Sequence, residues 1–319
     1  MTDIANIVLS IFGLIGIGYG TARIGLLGRD VGKGLADFVF TIAIPVLLFK
    51  TLASADFGAA APWNIWAAYF AGVAVTWMLS HITIRRLFGR DARAGLVAGL
   101  SGSYANTVLI GIPLVQTAFG EAGMVSLLII VAVHLPVMML ASLVLYELAL
   151  RIDGVESGTV DRAAIWRRFV ANMARNPLVI AIVAGLAWRL ADLSLTGVPA
   201  LLTDALSRVA GPVALFSAGM GLAGYGIARN VSQAMVITVF KLAVMPAIVL
   251  AAGWAIGLAP VAAATATLAA ACPTGVNPFL IAGRFGTGEA IASNAIAIST
   301  GAGFISVGIW LAILQRLFS

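Results

Sequence analysis

Long runs of apolar residues, each ended by a short polar segment, follow one another along the whole chain. Several of these runs exceed the roughly 18 residues that indicate a membrane-spanning helix. The pattern predicts an all-α polytopic membrane protein with ten transmembrane helices. The predicted spans are Ile4–Ala22, Leu35–Ala53, Trp63–Ile84, Leu96–Phe119, Met124–Leu150, Phe169–Leu190, Ala205–Tyr225, Ala234–Leu258, Pro260–Ala282 and Glu289–Leu314. The start of the sixth span could lie anywhere from Phe169 to Pro177.

The fourth and ninth spans carry polar residues, glycine and proline where a plain spanning helix would carry Leu or Ala. The fourth contains Asn106, Gly111 and Pro113, and the ninth contains Cys272-Pro-Thr-Gly-Val-Asn-Pro278. Proline lacks an N–H donor and clashes with the preceding turn, so we expect the fourth helix to break near Pro113. Backbone groups freed in hydrocarbon must be satisfied by protein or by a water-filled cavity. The breaks therefore predict a cavity near the membrane centre.

The two halves of the chain resemble each other. Pro45-Val-Leu-Leu-Phe in the second span matches Pro212-Val-Ala-Leu-Phe in the seventh, and a Phe-Gly pair follows Pro113 and Pro278 at similar distances. Because five spans is an odd number, the second copy must enter the membrane from the opposite side, which predicts an inverted repeat with crossing broken helices. The expected domains are a first five-helix repeat at 1–150, a cytoplasmic loop at 151–168 and a second repeat at 169–319.

Composition and charge agree with a membrane protein and give its orientation. Of the 319 residues, 61% are hydrophobic and 10% are charged, whereas soluble domains carry about 25% charged residues. Of the 19 Lys and Arg residues, 14 follow odd-numbered spans. The positive-inside rule then places both termini on the non-cytoplasmic side of the cell inner membrane. The net charge of +6 therefore indicates topology, and we expect no nucleic-acid partner.

The breaks themselves are candidate binding elements. Asn is favoured at a helix N-cap and Pro at the first helical position, so Asn277-Pro278 predicts the start of a half-helix. We expect Pro113 to start the matching half-helix, with Asn106 at the end of the incoming half. Two half-helix N-termini that meet in this way offer positive partial charge and N–H donors to an anion. Alternatively, both prolines only kink packed helices.

Polar side chains near the breaks extend this candidate site. Asn106 and Asn277 offer amide donors without the cost of a buried charge. Hydroxyl groups could contact a substrate or could instead satisfy freed backbone carbonyls; these belong to Ser103, Tyr104, Thr107 and Thr274.

Two ionisable residues lie within predicted spans. Lys241, in the eighth span, could pair with a carboxylate substrate, cap carbonyls at a break or extend to the membrane interface. His134, in the fifth span, could carry a proton or form a hydrogen bond between helices. No Asp or Glu falls clearly within the middle of a span, which disfavours a carboxylate-centred coupling site. Sodium bound by backbone carbonyls and by Asn or Thr oxygens stays open.

Other chemistry finds little support in the sequence. A single cysteine, Cys272, excludes an internal disulfide and a cysteine-based metal cluster, and the two histidines are far apart. No nucleophile-and-base arrangement or Walker sequence is present, so we expect neither an enzyme nor an ATP-driven pump, and no cofactor or metal. The glycines of Gly219-Met-Gly-Leu-Ala-Gly224 lie in a span without a preceding strand, and predict close helix packing instead of dinucleotide binding.

At Asn106-Thr-Val-Leu-Ile-Gly-Ile-Pro113-Leu the chain resembles the auxin efflux carrier family, which includes plant PIN-FORMED proteins and bacterial malonate or organic-acid permeases. The run from Pro273 to Phe279 is similar to a plant Pro-x-Gly-x-x-Pro-Phe motif, although Asn277 replaces an apolar residue. The resemblance implies that a carboxylate binds at the helix crossover, with Asn106 and the breaks at Pro113 and Pro278 as site candidates. It also implies an elevator motion, with spans one, two, six and seven as scaffold and homodimer surface.

We therefore expect an elevator-type secondary transporter of a small organic anion. Auxin itself is disfavoured by Asn277 and by the short central loop. A sodium-coupled symporter of the bile-acid type is the alternative within transport. From another class, a non-transporting membrane sensor or scaffold stays open, although a sensor should carry an effector domain or a long regulatory loop.

Overall fold

A computed structural model describes residues 2–55, 62–155, 162–225 and 229–318. The regular elements in these ranges are helices, and one isolated β-bridge joins two non-helical segments. The α-helices are α1 Thr2–Arg23, α2 Arg29–Phe38, α3 Ile44–Ala53, α4 Pro62–Arg86, α5 Ala92–Ser103, α6 Ile112–Ile152, α7 Arg162–Ala174, α8 Pro177–Leu190, α9 Gly197–Leu222, α10 Val231–Val239, α11 Met245–Ile256, α12 Pro260–Ala271, α13 Asn277–Phe285 and α14 Glu289–Phe318.

Within these ranges, seven helical stretches are long and apolar enough to cross a membrane, and α8 and α12 are shorter apolar helices. The all-α polytopic membrane class is thereby confirmed, while the count of ten spans stays a prediction. The long stretches are Ile4–Arg23, Arg29–Ala53, Pro62–Arg86, Thr107–Ile152, Gly197–Leu222, Val231–Ile256 and Glu289–Phe318.

Three π-helical turns of five residues interrupt the spans. A proline is the second residue after each turn, in the order Pro45, Pro113 and Pro246. Proline cannot donate a backbone hydrogen bond and crowds the carbonyl of the preceding turn. The wider π geometry lets the chain pass each proline without ending the helix. The turns are Val39–Ala43, Thr107–Gly111 and Phe240–Val244.

The prediction that the fourth span breaks at Pro113 is wrong. Pro113 is buried in the first turn of α6, where a Cβ atom added to Gly211 of α9 would lie 3.3 Å from the Pro113 Cβ. The chain leaves helical geometry earlier, because α5 ends at Ser103 and the next helical turn begins at Thr107. The π turn accommodates the proline, so the break itself lies at Tyr104–Asn106.

The two Phe-Gly pairs mark the ends of half-helices. Gly120 has φ 58° and ψ −147° and interrupts α6, and Gly286 has φ 63° directly after α13. Positive φ is strained for residues with a Cβ atom but is readily adopted by glycine. The repeat seen in the sequence thus corresponds to matching helix ends.

The helices pack in two groups. The first group contains α1, α2, α3, α8 and α9, in which α1 packs along α9 and α3 packs along α8. Backbones approach closely at glycine, since a Cβ atom on Gly18 would lie 2.1 Å from the Phe216 carbonyl oxygen, and one on Gly219 would lie 2.0 Å from that of Ile15. Gly219 therefore serves close helix packing, as expected.

The second group contains α4, α5, α6 and α10 to α14. Helix α4 packs against α5 and α11, α12 packs against α6 and α11, and α14 packs against α10 and α5. The groups meet where α14 lies against α1, where α9 lies against the π turn at Thr107–Gly111, and where α3 lies against α6. The breaks therefore belong to the second group and lie close to the boundary with the first.

Candidate functional site

The two non-helical segments, Tyr104–Asn106 and Cys272–Val276, pair with each other. The backbone N–H of Asn106 donates to the Pro273 carbonyl oxygen at 2.8 Å, and that of Gly275 donates to the Tyr104 carbonyl oxygen at 2.9 Å. Together these bonds form the isolated antiparallel bridge. Each break therefore satisfies backbone groups that the other releases, as burial within a membrane protein requires.

A cavity of about 360 Å³ opens beside this pairing. Its wall combines both breaks and α6 from the second helix group with the first π turn and the start of α8 from the first group. None of the described residues in this wall is Lys, Arg, Asp or Glu. The volume suits a small organic molecule. The polar side chains that line the cavity include Tyr104, Asn106, Thr107, His134, Asn176 and Asn277.

Asn106 caps the helical turn that leaves the first break. Its Oδ1 accepts a hydrogen bond from the Leu109 N–H at 3.2 Å. The prediction that Asn106 lies at the end of the incoming half-helix is wrong, because α5 ends at Ser103 and Asn106 is the last residue of the break, directly before the π turn. The side-chain nitrogen has no protein partner within the described ranges, so it can donate into the cavity.

Asn176 makes the same arrangement from the opposite wall, although it is not among the site residues predicted from the sequence. Its Oδ1 accepts from the Leu178 N–H at 2.9 Å, and Pro177 occupies the first turn of α8. The sixth span was predicted to start anywhere from Phe169 to Pro177, and the structure places that start at the upper end of the range, because α7 ends at Ala174 and α8 begins at Pro177. The pair Asn176-Pro177 repeats Asn277-Pro278, and this signal could have identified it.

Asn277 joins the two breaks through side chains. Helix α13 begins at Asn277, with Pro278 buried in its first turn, so the predicted half-helix is present. Asn277 does not cap it by a side-chain hydrogen bond. Instead, its Nδ2 donates to the Tyr104 hydroxyl at 2.6 Å.

Three helix starts therefore converge on one uncharged cavity. They lie at Thr107 after the first break, at Pro177 and at Asn277. Helix N-termini carry unsatisfied N–H groups and roughly half a positive charge, which together favour an anion. The geometry suits a small anion although no Lys or Arg is among the described residues of the wall.

His134 lies at the inner side of this cavity. It is 3% exposed, and its ring centroid lies 4.6 Å from that of Tyr104 and 5.6 Å from that of Tyr69. Neither ring nitrogen of His134 nor the Tyr69 hydroxyl has a hydrogen-bond partner in the described part of the chain. Buried polar groups normally have partners. His134 lines the cavity, so its ring nitrogens are candidates to contact a ligand or water there, whereas Tyr69 lies behind it, outside the cavity wall.

The other predicted site residues lie outside the cavity wall. The Ser103 hydroxyl donates to the Gly99 carbonyl at 2.8 Å, and the Thr274 hydroxyl donates to that of Ser101 at 2.8 Å. Lys241 is fully buried, and its amine donates to the carbonyl oxygen of Ala270, in the last turn of α12. Pro113 and Pro278 are also absent from the wall. The polar side chains in this set thus hold backbone carbonyls, and substrate contact by any of them stays a prediction.

Comparison with known proteins identifies the family. The family described as "Membrane transport protein" matches residues 3–311. The chain belongs to this family. It is the auxin efflux carrier family that the run from Asn106 to Pro113 resembles.

Two relatives match along almost their whole length. A protein of Rhizobium meliloti (strain 1021) named "Putative malonate transporter" is 27% identical over 317 residues, which covers 94% of this chain and 92% of the relative. An "Uncharacterized transporter" of Methanothermobacter thermautotrophicus is 24% identical over 313 residues, covering 96% of this chain and 97% of the relative. The protein is therefore a multi-pass membrane transporter.

Proposed function

We propose that the protein is a secondary transporter of a small carboxylate, which binds in the cavity beside the paired breaks. The observation that carries the proposal is the convergence of three helix N-termini on this cavity. The amide nitrogens of Asn106 and Asn176 have no protein partner among the described residues and supply further donors from opposite walls. A relative named for malonate transport supports a carboxylate as the substrate class.

A site built from amides and helix ends suits a carrier. A hydrogen bond to a charged group contributes about 1.5–3 kcal/mol, so a few donors give useful affinity. A buried Arg or Lys left unpaired after the substrate departs would be costly in the membrane. Neutral donors avoid this cost, and the empty carrier can then change conformation without an orphaned charge.

The proposal includes an elevator motion of the second helix group against the first. The cavity lies between the groups, with Asn106 and Asn277 on the second and Asn176 on the first. If the second group slides, the paired breaks travel with it and the Asn176 wall stays behind. In this proposal the first group is the scaffold and carries the homodimer surface.

An inverted repeat with ten spans accompanies this mechanism. Asn106 and Gly275, and likewise Tyr104 and Pro273, lie 169 positions apart, so the two bridging hydrogen bonds interchange when the halves are exchanged. The packing of α1 on α9 and of α8 on α3 follows the same exchange. The basic connections support an inner-membrane location with both termini outside the cytoplasm.

The test is the thermal stability of the purified protein with a panel of mono- and dicarboxylates, each with sodium or choline as the cation. A ligand that binds only the folded state raises stability by RT ln(1 + [L]/Kd). We expect malonate or a similar acid to raise the melting temperature with either cation. A rise that requires sodium would favour the sodium-coupled symporter. No rise with any acid, for a folded sample, would overturn the proposal and favour a sensor or scaffold.

A further inference from the structure

The two half-helices that enter the breaks end against different side chains. Ser101 of α5 and Ala270 of α12 lie 169 positions apart, as do the bridging residues. The Ser101 carbonyl accepts from the neutral Thr274 hydroxyl, whereas the Ala270 carbonyl accepts from the Lys241 amine. Only the second of these helix ends therefore meets a group that can carry positive charge.

A cation is the group that such a helix end attracts. The C-terminus of a helix carries partial negative charge. In carriers with broken helices, these ends and nearby unwound carbonyls coordinate sodium. Lys241 is 0% exposed, and within the described ranges no Asp or Glu lies at ion-pair distance from its amine. A helix carbonyl is thus the partner that the structure gives this amine.

We propose that the Lys241 amine occupies the position of a coupling sodium ion at the end of α12, so that substrate binding needs no sodium. This inference rests on the proposed transport function and selects between its sodium-coupled and sodium-independent forms. The tethered amine supplies hydrogen bonds and, when it carries its proton, positive charge where sodium would otherwise supply both functions. Its bulk also excludes the ion.

The test uses Lys241→Gln, which keeps a hydrogen-bond donor and removes the amine. Melting temperatures are measured without substrate in sodium chloride and in choline chloride, and then with malonate. We expect the native protein to melt at the same temperature in both salts, and Lys241→Gln to gain roughly 2 °C in sodium. Lys50→Gln is the matched control, because Lys50 lies near a helix end and pairs with Asp204 at 2.6 Å.

Sodium-dependent melting of the native protein would overturn the inference, as would a folded Lys241→Gln variant that melts at the same temperature in both salts. If the variant does not fold, the comparison of the native protein's melting temperatures in the two salts still tests the inference. Failure of every carboxylate to bind would overturn the transport proposal instead, because the substrate-free comparison of salts judges Lys241 independently.

A second, independent observation concerns the outer face of α4, where two cavities share His81. One is a groove of about 530 Å³ between α4, α5 and α6, with a largely apolar wall that includes Phe70, Val73, Trp77, Leu96, Met138 and Leu145. The other, of about 430 Å³, lies at the end of α4 and is lined by His81, Ile82, Arg85, Arg86, Gly89 and Arg90. An apolar groove thus runs into a basic pocket.

The arginines of this pocket are uncompensated. Among the described residues, no carboxylate lies at ion-pair distance from Arg85, Arg86 or Arg90, whereas Arg93 pairs with Asp91 and Asp153. Gly95 leaves room for the Arg85 side chain in the pocket wall, since a Cβ atom at Gly95 would lie 2.8 Å from the Arg85 Cγ.

We infer that this composite site binds an anionic phospholipid, with an acyl chain in the groove and the phosphate on the arginines. Charge complementarity carries the choice, because basic pockets beside membrane helices attract anionic headgroups. The pocket follows the candidate span Pro62–Arg86, so its arginines lie where headgroups are expected.

Native mass spectrometry with equal amounts of phosphatidylglycerol and phosphatidylcholine, matched in acyl chains, tests this inference. The native protein should retain phosphatidylglycerol preferentially. Each basic residue near an anionic lipid is worth about fivefold in affinity, so the triple variant R85Q/R86Q/R90Q should weaken phosphatidylglycerol binding on the order of 100-fold. R23Q/R29Q/K33Q, in a basic connection elsewhere, is the control.

Ala141→Trp, which fills the groove, should lower retention of both lipids. No preference in the native protein would overturn the inference. So would an equal loss in the control variant, which would indicate nonspecific attraction to basic loops.

Discussion

The first break, Tyr104–Asn106, and the second break, Cys272–Val276, exchange two backbone hydrogen bonds of nearly equal length, 2.8 and 2.9 Å. Their side chains differ much more. The first break leads into a π turn capped by Asn106, whereas the second leads into α13 without a side-chain cap. At the end of α5, which enters the first break, a carbonyl accepts from the Thr274 hydroxyl. At the end of α12, which enters the second, a carbonyl accepts from the Lys241 amine.

This difference separates what the membrane requires of both breaks from the side-chain chemistry that distinguishes them. Backbone groups freed in hydrocarbon must be paired whatever the protein does, so the pairing is alike in both halves. Side chains are not bound by that rule. The donor of Asn106, the link of Asn277 to Tyr104 and the amine of Lys241 therefore give the two breaks different chemical roles.

The largest effect should come from Asn106→Ala. The variant removes the cavity donor of the first break, so carboxylate affinity should fall by about 2 kcal/mol, roughly 30-fold. Loss of the cap should lower stability by about 1 kcal/mol, which leaves the protein folded. Ligand titration by thermal shift or calorimetry measures the affinity.

Ser103→Ala is the control for Asn106→Ala, because Ser103 bonds to Gly99 outside the cavity wall. Unchanged affinity in Asn106→Ala would remove the first break from the substrate site.

Among the variants that remove a side-chain hydroxyl, Thr274→Val should cause the largest loss of stability. It keeps the shape of the side chain but leaves the buried Ser101 carbonyl without its donor, which costs about 1–3 kcal/mol. Denaturant titration reports the free energy of unfolding. Thr203→Val removes a hydroxyl near the surface of α9 and should cost at most about 0.5 kcal/mol. Equal costs for the two variants would mean that the helix end at the first break needs no side-chain donor.

Tyr104→Phe tests the side-chain link between the breaks. The variant removes the acceptor of the Asn277 amide and should cost about 1 kcal/mol. Combined with Asn277→Ala in a double-mutant cycle, it should show a coupling of similar size. Additive effects would mean that the breaks are held together by their backbones alone.

The smallest effect concerns the beginnings of the entering helices. Asp153 accepts hydrogen bonds from the backbone N–H groups of Ala92 and Arg93, at 2.7 and 3.2 Å, at the start of α5. Burial raises the pKa of this carboxyl, but these bonds and the Arg93 guanidinium outweigh burial and hold the pKa below its ordinary value. Helix α12 begins instead with Pro260 and has no side-chain cap.

Because the pKa of Asp153 is lower in the folded state, its contribution to stability is present above about pH 4 and is lost as the pH falls further. The free energy of unfolding of the native protein should therefore exceed that of Asp153→Asn by about 1 kcal/mol or less at neutral pH. This difference should shrink in acid. Melting curves from pH 7 to pH 3 measure it. A difference that does not change with pH would exclude the charge of Asp153 as its cause.

Much of the fold follows from local signals in the sequence. Apolar runs predicted the membrane helices, and the repeated Phe-Gly pairs correspond to Gly120 and Gly286, which both have positive φ. The first break was predicted at the wrong position because Pro113, which has no backbone N–H, was expected to end its helix. A π turn instead accommodates the proline. The turn packs against α9, and sequence spacing does not reveal such tertiary contacts.

The candidate site was predicted less completely than the fold. Of the predicted residues, Tyr104, Asn106, Thr107, His134 and Asn277 lie around the cavity, since they flank a break or face it from α6. Asn176 comes from a distant helix and needed the three-dimensional arrangement. Lys241 illustrates the opposite case, because its position within a span indicated importance but not which partner it contacts.

The π turn at Thr107–Gly111 has a consequence for insertions and deletions in this part of the chain. A π turn holds one more residue than the α-helical turn it replaces, and each residue of an α-helix advances the direction of the side chains by about 100°. Removal of one residue between Thr107 and Gly111 would eliminate the π turn and rotate the side chains from there to Gly120 by about 100° relative to the break. Pro113 would then turn away from Gly211, so the length of this segment is constrained as strictly as its composition.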